Sequence, residues 1–233
     1  MRTTNERHEK DAGVREDQTA LVYRLALKKR KYVLSSPNRS GRSRLLATFA
    51  SLFRDGIEDF RGLVIEKLWK DTTYDTVTLD FSRLTDVNDI AAFRTRFDEH
   101  LVSQFGAVGF EKSPSSDMSV MAQLDVWLQS RKPSSLVLLI EESDAPLSTR
   151  LNNKALFDDV RNLLNEFYAR LKSCEGCLRF VFMTGAAKFD TAGLSSAFDQ
   201  VIDISRDPQY GSLFGGKNLM RNLNNSWAHL GFV

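Results

Sequence analysis

Cysteine is scarce, at two in 233 residues. Two thiols cannot staple a secreted scaffold of this size, and they point to a reducing compartment. Long apolar runs are absent too. The longest uncharged one, Leu136 to Ile140, falls far short of the ~20 residues that span a bilayer. The first twenty residues hold no apolar core, so no secretory signal is read there. No sign of charge dominates: the net charge is +2, which says nothing about nucleic acid by itself. What is present is a globular composition, 42% apolar and 27% charged, and it excludes collagen-like, wholly disordered and coiled-coil classes. The expectation is a soluble intracellular, cytoplasmic protein with no membrane partner, built as one large domain or one domain with an appendage.

The chain reads as alternating strands and helices. Residues 1–16 are polar and aperiodic, which predicts disorder. Asp17 is placed to cap a short helix carrying Leu21, Val22 and Leu25, ending in Lys28-Lys29-Arg30-Lys31. Tyr32 to Ser35 reads as a buried strand. Leu45, Leu46, Phe49, Leu52 and Phe53 then mark one face of a helix starting near Arg42. Thr76 to Phe81 is strand-like, and Ile90, Phe93, Phe97 and Leu101 mark a second core-facing helix. A helix through Leu124, Trp127 and Leu128 follows a Ser/Pro loop. Leu136 to Ile140 is the continuous apolar type of strand that parallel sheets bury on both faces. Leu156, Val160, Leu163, Leu164, Phe167 and Leu171 form the cleanest helical stripe; strands at Phe180–Met183 and Val201–Ile204 complete the pattern. Five strands separated by helices predict an open parallel α/β sheet, with ligands outside the C-terminal strand ends.

Two of those strand ends carry chemistry. After the first comes Ser36-Pro37-Asn38-Arg39-Ser40-Gly41-Arg42-Ser43-Arg44, and then a helix. The phosphate loop G-x-x-x-x-G-K-[ST] has the same strand–loop–helix setting, with backbone amides and a lysine on phosphate and the hydroxyl on Mg²⁺. Here Gly41 and Ser43 fit, Ser36 replaces the first glycine and Arg42 the lysine. A basic turn before a helix is, taken alone, more often only a cap. The third strand ends in Glu141-Glu142-Ser143-Asp144. Paired acids at that place can hold Mg²⁺ and polarise an attacking water, although an exposed acidic loop is the commoner meaning. Both segments occur in the right order, about a hundred residues apart. Thr184-Gly185 ends the fourth strand, where a polar side chain can touch a γ-phosphate.

Together these residues resemble the AAA-ATPase-like domain that commonly precedes a restriction-type nuclease domain. That family runs V-D-K-T, then L-S-R-P-R-R-F-G-K-S-L-L; this chain has E-D-Q-T at Glu16–Thr19 and L-S-S-P-N-R-S-G-R-S-R-L-L from Leu34 to Leu46. The family's F-x-G-L-x-I matches Phe60–Ile65, and its L-D-F-S strand matches Val77–Ser82. Its L-I-D-E-Y-D-x-P-L matches Leu139–Leu147. T-G-x-x-K-F and D-P-x-Y-x-x-L-F-G match Thr184–Phe189 and Asp207–Gly215. The resemblance implies a three-layer P-loop NTPase fold, a mainly parallel sheet ordered 5-1-4-3-2, and ATP with Mg²⁺ as ligands. It implies phosphate binding by Pro37 to Arg44, Mg²⁺ on Ser43 and Glu141, Glu142 as water-polarising base and Thr184 as γ-phosphate sensor.

The departures from the family matter as much. The loop lysine is Arg42, the metal aspartate is Glu141, the aromatic after the acids is Ser143, and one loop arginine is Asn38. A guanidinium is larger than an ammonium and less suited to a loop that wraps a compact charge. The expectation is weak ATP binding with slow or absent hydrolysis, and a fold indifferent to both changes, neither position being read as core. The alternative is a non-catalytic scaffold for a protein or nucleic-acid partner. The domain is expected over 17–215, with 216–233 a short divergent tail without room for a lid or nuclease part. Lys28 to Lys31 with Arg39, Arg42 and Arg44 make seven bases in seventeen positions. A nuclear-localisation or nucleic-acid patch is one meaning, and positive potential around a triphosphate explains the run equally well. Cys174-x-x-Cys177 has zinc-like spacing, but zinc wants four ligands, so two buried thiols at a helix end are expected.

Overall fold

The computed structural model describes residues 18–186 and 201–215. The stretches expected to be disordered or divergent, 1–16 and 216–233, lie outside the described residues, as do Asp17, Lys188 and Phe189. In chain order the elements are α1 (Thr19–Leu27), β1 (Lys31–Ser35), α2 (Arg39–Arg54), α3 (Val64–Leu68), β2 (Asp75–Asp80) and α4 (Ile90–Gly106). There follow α5 (Val120–Gln129), β3 (Leu136–Glu141), α6 (Ala145–Ser148), α7 (Lys154–Ser173), β4 (Leu178–Gly185), β5 (Val201–Asp203) and α8 (Gly211–Gly215). The strands form one sheet ordered β2-β3-β4-β1-β5, every neighbour parallel. This is the order expected for a P-loop NTPase fold, with β4 between the two strands that carry the motifs.

The layers follow from the side-chain pattern. β3 and β4 are buried along their apolar lengths, as sheet-centre strands with helices on both faces must be. Val77, Leu79, Leu138 and Ile140 point into one core with Phe93 and Phe97 of α4, Leu124 of α5 and Phe167 of α7. Tyr32, Leu34, Val137, Leu139, Phe180 and Phe182 point into the other, with Leu25 of α1 and Phe49 and Phe53 of α2. Phe49 lies 5.0 Å from Phe180 and 4.9 Å from Phe182, ring centre to ring centre. Burying each such ring contributes about 1.5–3 kcal/mol. The two thiols are free and buried at the end of α7. Cys174 Sγ donates to Asp125 Oδ1 at 3.2 Å, burial lifts Cys177 to about 11, and among the described residues no group of three or more His, Cys, Asp or Glu gathers to hold a metal ion.

β2 is an outer strand, and its last amide is held from outside the sheet. Asp80 N–H donates to His100 Nε2 of α4 at 3.2 Å, so Nε2 must be unprotonated. Burial, and then Arg83, hold this imidazole below its ordinary value of 6.5, with Asp80 acting against them. The folded state therefore prefers neutral histidine, and the associated stability is present above 6.5 and lost as pH falls toward the lowered value. Urea unfolding at neutral and mildly acidic pH should show this loss in the wild type. In His100→Gln, whose amide oxygen accepts without titrating, the loss should shrink. Equal pH slopes in the two proteins would acquit His100.

Candidate functional site

The C-terminal ends of β1, β3 and β4 converge. The connection from β1 to α2 is only Ser36-Pro37-Asn38, because Asn38 caps the helix: its Oδ1 accepts from Gly41 N at 3.2 Å and from Ser40 Oγ at 3.1 Å. The helix thus begins at Arg39, three residues before the Arg42 start that periodicity suggests, and Ser40, Gly41 and Arg42 lie in its first turn. Ser36 fastens the loop to β4, its amide donating to Gly185 O at 3.0 Å, and its hydroxyl accepts from Asn38 N at 3.3 Å.

Arg42 is 1% exposed and ranks among the largest fully buried side chains. Its Nη2 donates to Glu142 Oε1, which Arg39 Nε also approaches at 3.6 Å. The expectation that the lysine-replacing position is not core is therefore wrong. An arginine in the first helical turn can fold back across the sheet end, and here the β3 loop supplies the acid that makes its burial tolerable. Glu142 has φ of 52°, a left-handed backbone that side chains other than glycine seldom adopt. That turn is fixed on both sides. Ser143 N donates to Thr184 O at 2.8 Å, and both oxygens of Asp144 accept from Ala186 N at 3.1 Å. Gly185 is needed beside it, since a Cβ there would stand 2.7 Å from Asp144 Oδ1.

Ser43 Oγ donates to Glu141 Oε1, bringing together the two residues read as metal ligands. Glu141 is half-buried, and its carboxyl is raised above its ordinary value by burial. The Ser43 hydrogen bond opposes this, and Asp80 and Glu142 add to it. A hard cation would relieve that excess of negative charge, and hydroxyl plus carboxylate oxygens are the donors Mg²⁺ takes. Thr184 is fully buried, and among the described residues its Oγ1 has no partner; Arg42 Nε and Nη1 are likewise buried without acceptors there. Buried donors without partners are costly, so this spot is suited to an oxyanion or ordered water.

Residues 8–195 match the family described as AAA-ATPase_like, predicted AAA-ATPase. The chain belongs to this predicted AAA-ATPase family. Among curated proteins, an uncharacterized protein in the vnfD 5'region of Azotobacter chroococcum mcd 1 is 26% identical over 202 residues, covering 85% of this chain and 39% of that protein. The chain thus spans about two fifths of the relative's length. Among solved structures, Drosophila ORC bound to poly(dA/dT) DNA and Cdc6 aligns at a TM-score of 0.37 and 18% identity, over 84% of this chain and 29% of that one. Drosophila ORC bound to AT-rich DNA and Cdc6 aligns at 0.37 and 16%, over 90% and 31%. These likenesses are too slight to bear on function.

In this AAA-ATPase-like domain the basic run does not form one patch. Lys28 to Lys31 lead into β1, whereas Arg39, Arg42 and Arg44 follow it, so five extended residues set the two groups at opposite ends of the sheet, about 16 Å apart. Only the second group can serve a phosphate. Asp144 and Gly185 were not singled out by sequence, although the S-D-A-P and T-G signatures contain them. Two buried arginines were also missed. Arg150 donates to the carbonyls of Leu84, Val87 and Pro146, and Arg179 to Ala26 O and Asp71. Arg179 ties α1 and the Asp71 loop to β4, and Arg150 ties the turn after α6 to the segment after β2; neither contacts the site residues.

Proposed function

We propose that this domain binds ATP weakly at the β1, β3 and β4 ends and hydrolyses it slowly or not at all. The observation that carries the reading is the buried Arg42–Glu142 pair, which joins the loop cation to the acid that would polarise water. A glutamate held by a guanidinium is a poor base, and a guanidinium held by a glutamate is a poor phosphate ligand. The amides of Arg39, Gly41 and Arg42 are already taken, by Pro37 O, Asn38 Oδ1 and Asn38 O. Phosphate would therefore be met first by the Arg39 side chain, which is exposed, and by the first-turn amides and the buried Thr184 hydroxyl only once the Asn38 cap opens. Ser43 and Glu141 would hold Mg²⁺, whose role when bound is to neutralise charge on the phosphate oxygens. Binding at this site would convert the Ser43–Glu141 hydrogen bond into shared coordination.

Thermal unfolding with ATP, with and without Mg²⁺, tests the binding claim. Nucleotide at ten times its Kd should add about 1.4 kcal/mol of stability. Ser43→Ala should remove the part of the shift that needs Mg²⁺ and leave the remainder. No binding at millimolar ATP by titration calorimetry would remove the nucleotide reading. It would favour the alternative, a scaffold that kept the fold for interaction with a protein or nucleic acid. The Arg42–Glu142 contact is the observation that leans that way, since it forms without a ligand between them.

A further inference from the structure

At the far pole from the nucleotide site, the open edge of β2 lines a groove of about 1190 Å³. That exceeds the roughly 300–1,000 Å³ of a small-molecule pocket and suits a longer occupant. The groove contains Tyr74, Thr76 and Thr78 of the edge, with Trp127 and Arg131 on one flank and Arg54 on the other. Among the described residues β2 pairs with β3 on one side only and ends the sheet. Strand residues alternate the side to which their amide and carbonyl point. Tyr74 N–H is taken by Phe53 O at 2.7 Å and Asp80 N–H by His100 Nε2 at 3.2 Å, both off the sheet. The same period places the backbone groups of Thr76 and Thr78, between these two, on the open side.

Charge selects the kind of chain that would fit. The groove lining has three bases, Arg54, Arg131 and Lys132, against one acid, Asp75. Arg131 is paired with Asp75 and Arg54 with the adjoining Asp55, which among the described residues leaves Lys132 as the lining's uncommitted charge. The exposed run Lys28 to Arg30 adjoins it, with Lys29 Nζ donating to Ser134 Oγ at 3.2 Å. A polyanion could be acidic peptide or single-stranded nucleic acid, and the aromatic rings decide between them. Bases need free ring faces on which to stack. Trp127 carries the Arg131 guanidinium 4.8 Å over its ring, meets Phe105 and Phe110 at 6.0 and 5.9 Å, and spends its Nε1–H on Gly109 O. Tyr74 is likewise covered by Arg179 at 5.4 Å and Phe53 at 5.9 Å. We propose that the β2 edge is a docking site for an extended acidic peptide segment, which adds a strand through the Thr76 and Thr78 backbone while its carboxylates meet Lys132 and the Lys28 to Arg30 run.

Strand addition of this kind draws affinity from main-chain hydrogen bonds and specificity from alternate side chains. It is independent of ATP. Fluorescence anisotropy with a short alternating Glu-Val peptide tests it, using the whole chain. Saturable binding is expected, absent for the Lys-Val peptide. N-methylation of alternate peptide amides should weaken it by about tenfold or more, since it removes main-chain donors without touching charge. Thr78→Pro, at an edge position where proline can sit, should abolish binding at an unchanged melting temperature. If that variant fails to fold, the N-methylated peptide still decides. Lys132→Glu should weaken binding and reduce its salt dependence. Full affinity for the N-methylated peptide overturns the proposal. So does preference for a single-stranded oligonucleotide over the peptide, or no peptide binding at millimolar concentration.

Discussion

Replacing Arg42 with alanine should cost the ligand-free domain about 3–5 kcal/mol of stability, the usual loss when one partner of a buried ion pair is removed. The substitution strips Glu142, itself 7% exposed, of its close partner and leaves Arg39 at 3.6 Å as the remaining cation. It also empties the space of a fully buried side chain. Two causes are thus combined, and they are separable. Arg42→Met keeps most of the volume and removes only the charge; Glu142→Met does the same from the other side. Urea unfolding of both and of the double variant closes a thermodynamic cycle. The double should lose far less than the two singles summed, because two methionines leave no charge stranded. Additive losses would mean that the pair contributes nothing beyond packing. A melting temperature unmoved by Arg42→Ala would show that the side chain is not buried as described.

Sheet and helices were legible because their signals are local and strong. Leu136 to Ile140 has no polar residue, and the Leu156 to Leu171 stripe admits only one helical face. The strand order came from the resemblance, since no periodicity dictates which strand lies beside β1. The site was half legible. Its two loops were found by motif, and the Ser43–Glu141 contact joins strand ends that have only β4 between them. What escaped was the sense of the substitutions. A charged residue in a loop reads as exposed, and nothing in R-S-G-R-S says which arginine turns inward. The structure puts Arg39 in solvent and Arg42 under it, because the Asn38 cap winds Arg42 into the first turn, facing the β3 loop. The scattered basic run was misread for a related reason. Seven bases within seventeen positions look contiguous on paper, and a single strand between the two groups separates them by its full length.

Restoring the family's residues should switch on catalysis in steps that are not independent. Wild-type phosphate release is expected near background, since Glu142 is neutralised and Glu141 is a methylene longer than aspartate. Arg42→Lys shortens the cation and offers it to phosphate, which frees Glu142 to polarise water. Glu141→Asp draws the carboxylate back and makes room for Mg²⁺ beside Ser43. Lysine and metal act on the same phosphate oxygens, so each single change should recover less than its share. The double should exceed the wild type by about 10²-fold or more, the scale of restoring one well-aimed electrostatic contact in a phosphoryl-transfer site. Adding Glu142→Gln to the double should abolish the gain, which ties the recovered rate to the acid now released from Arg42. Because Arg42→Lys also weakens the buried pair, the assay belongs well below each variant's melting temperature, with circular dichroism confirming the fold. Robust turnover by the wild type would refute the argument from degenerate motifs. A folded double variant as silent as the wild type would place the limiting part outside these two positions, in a partner or in a segment beyond the described residues.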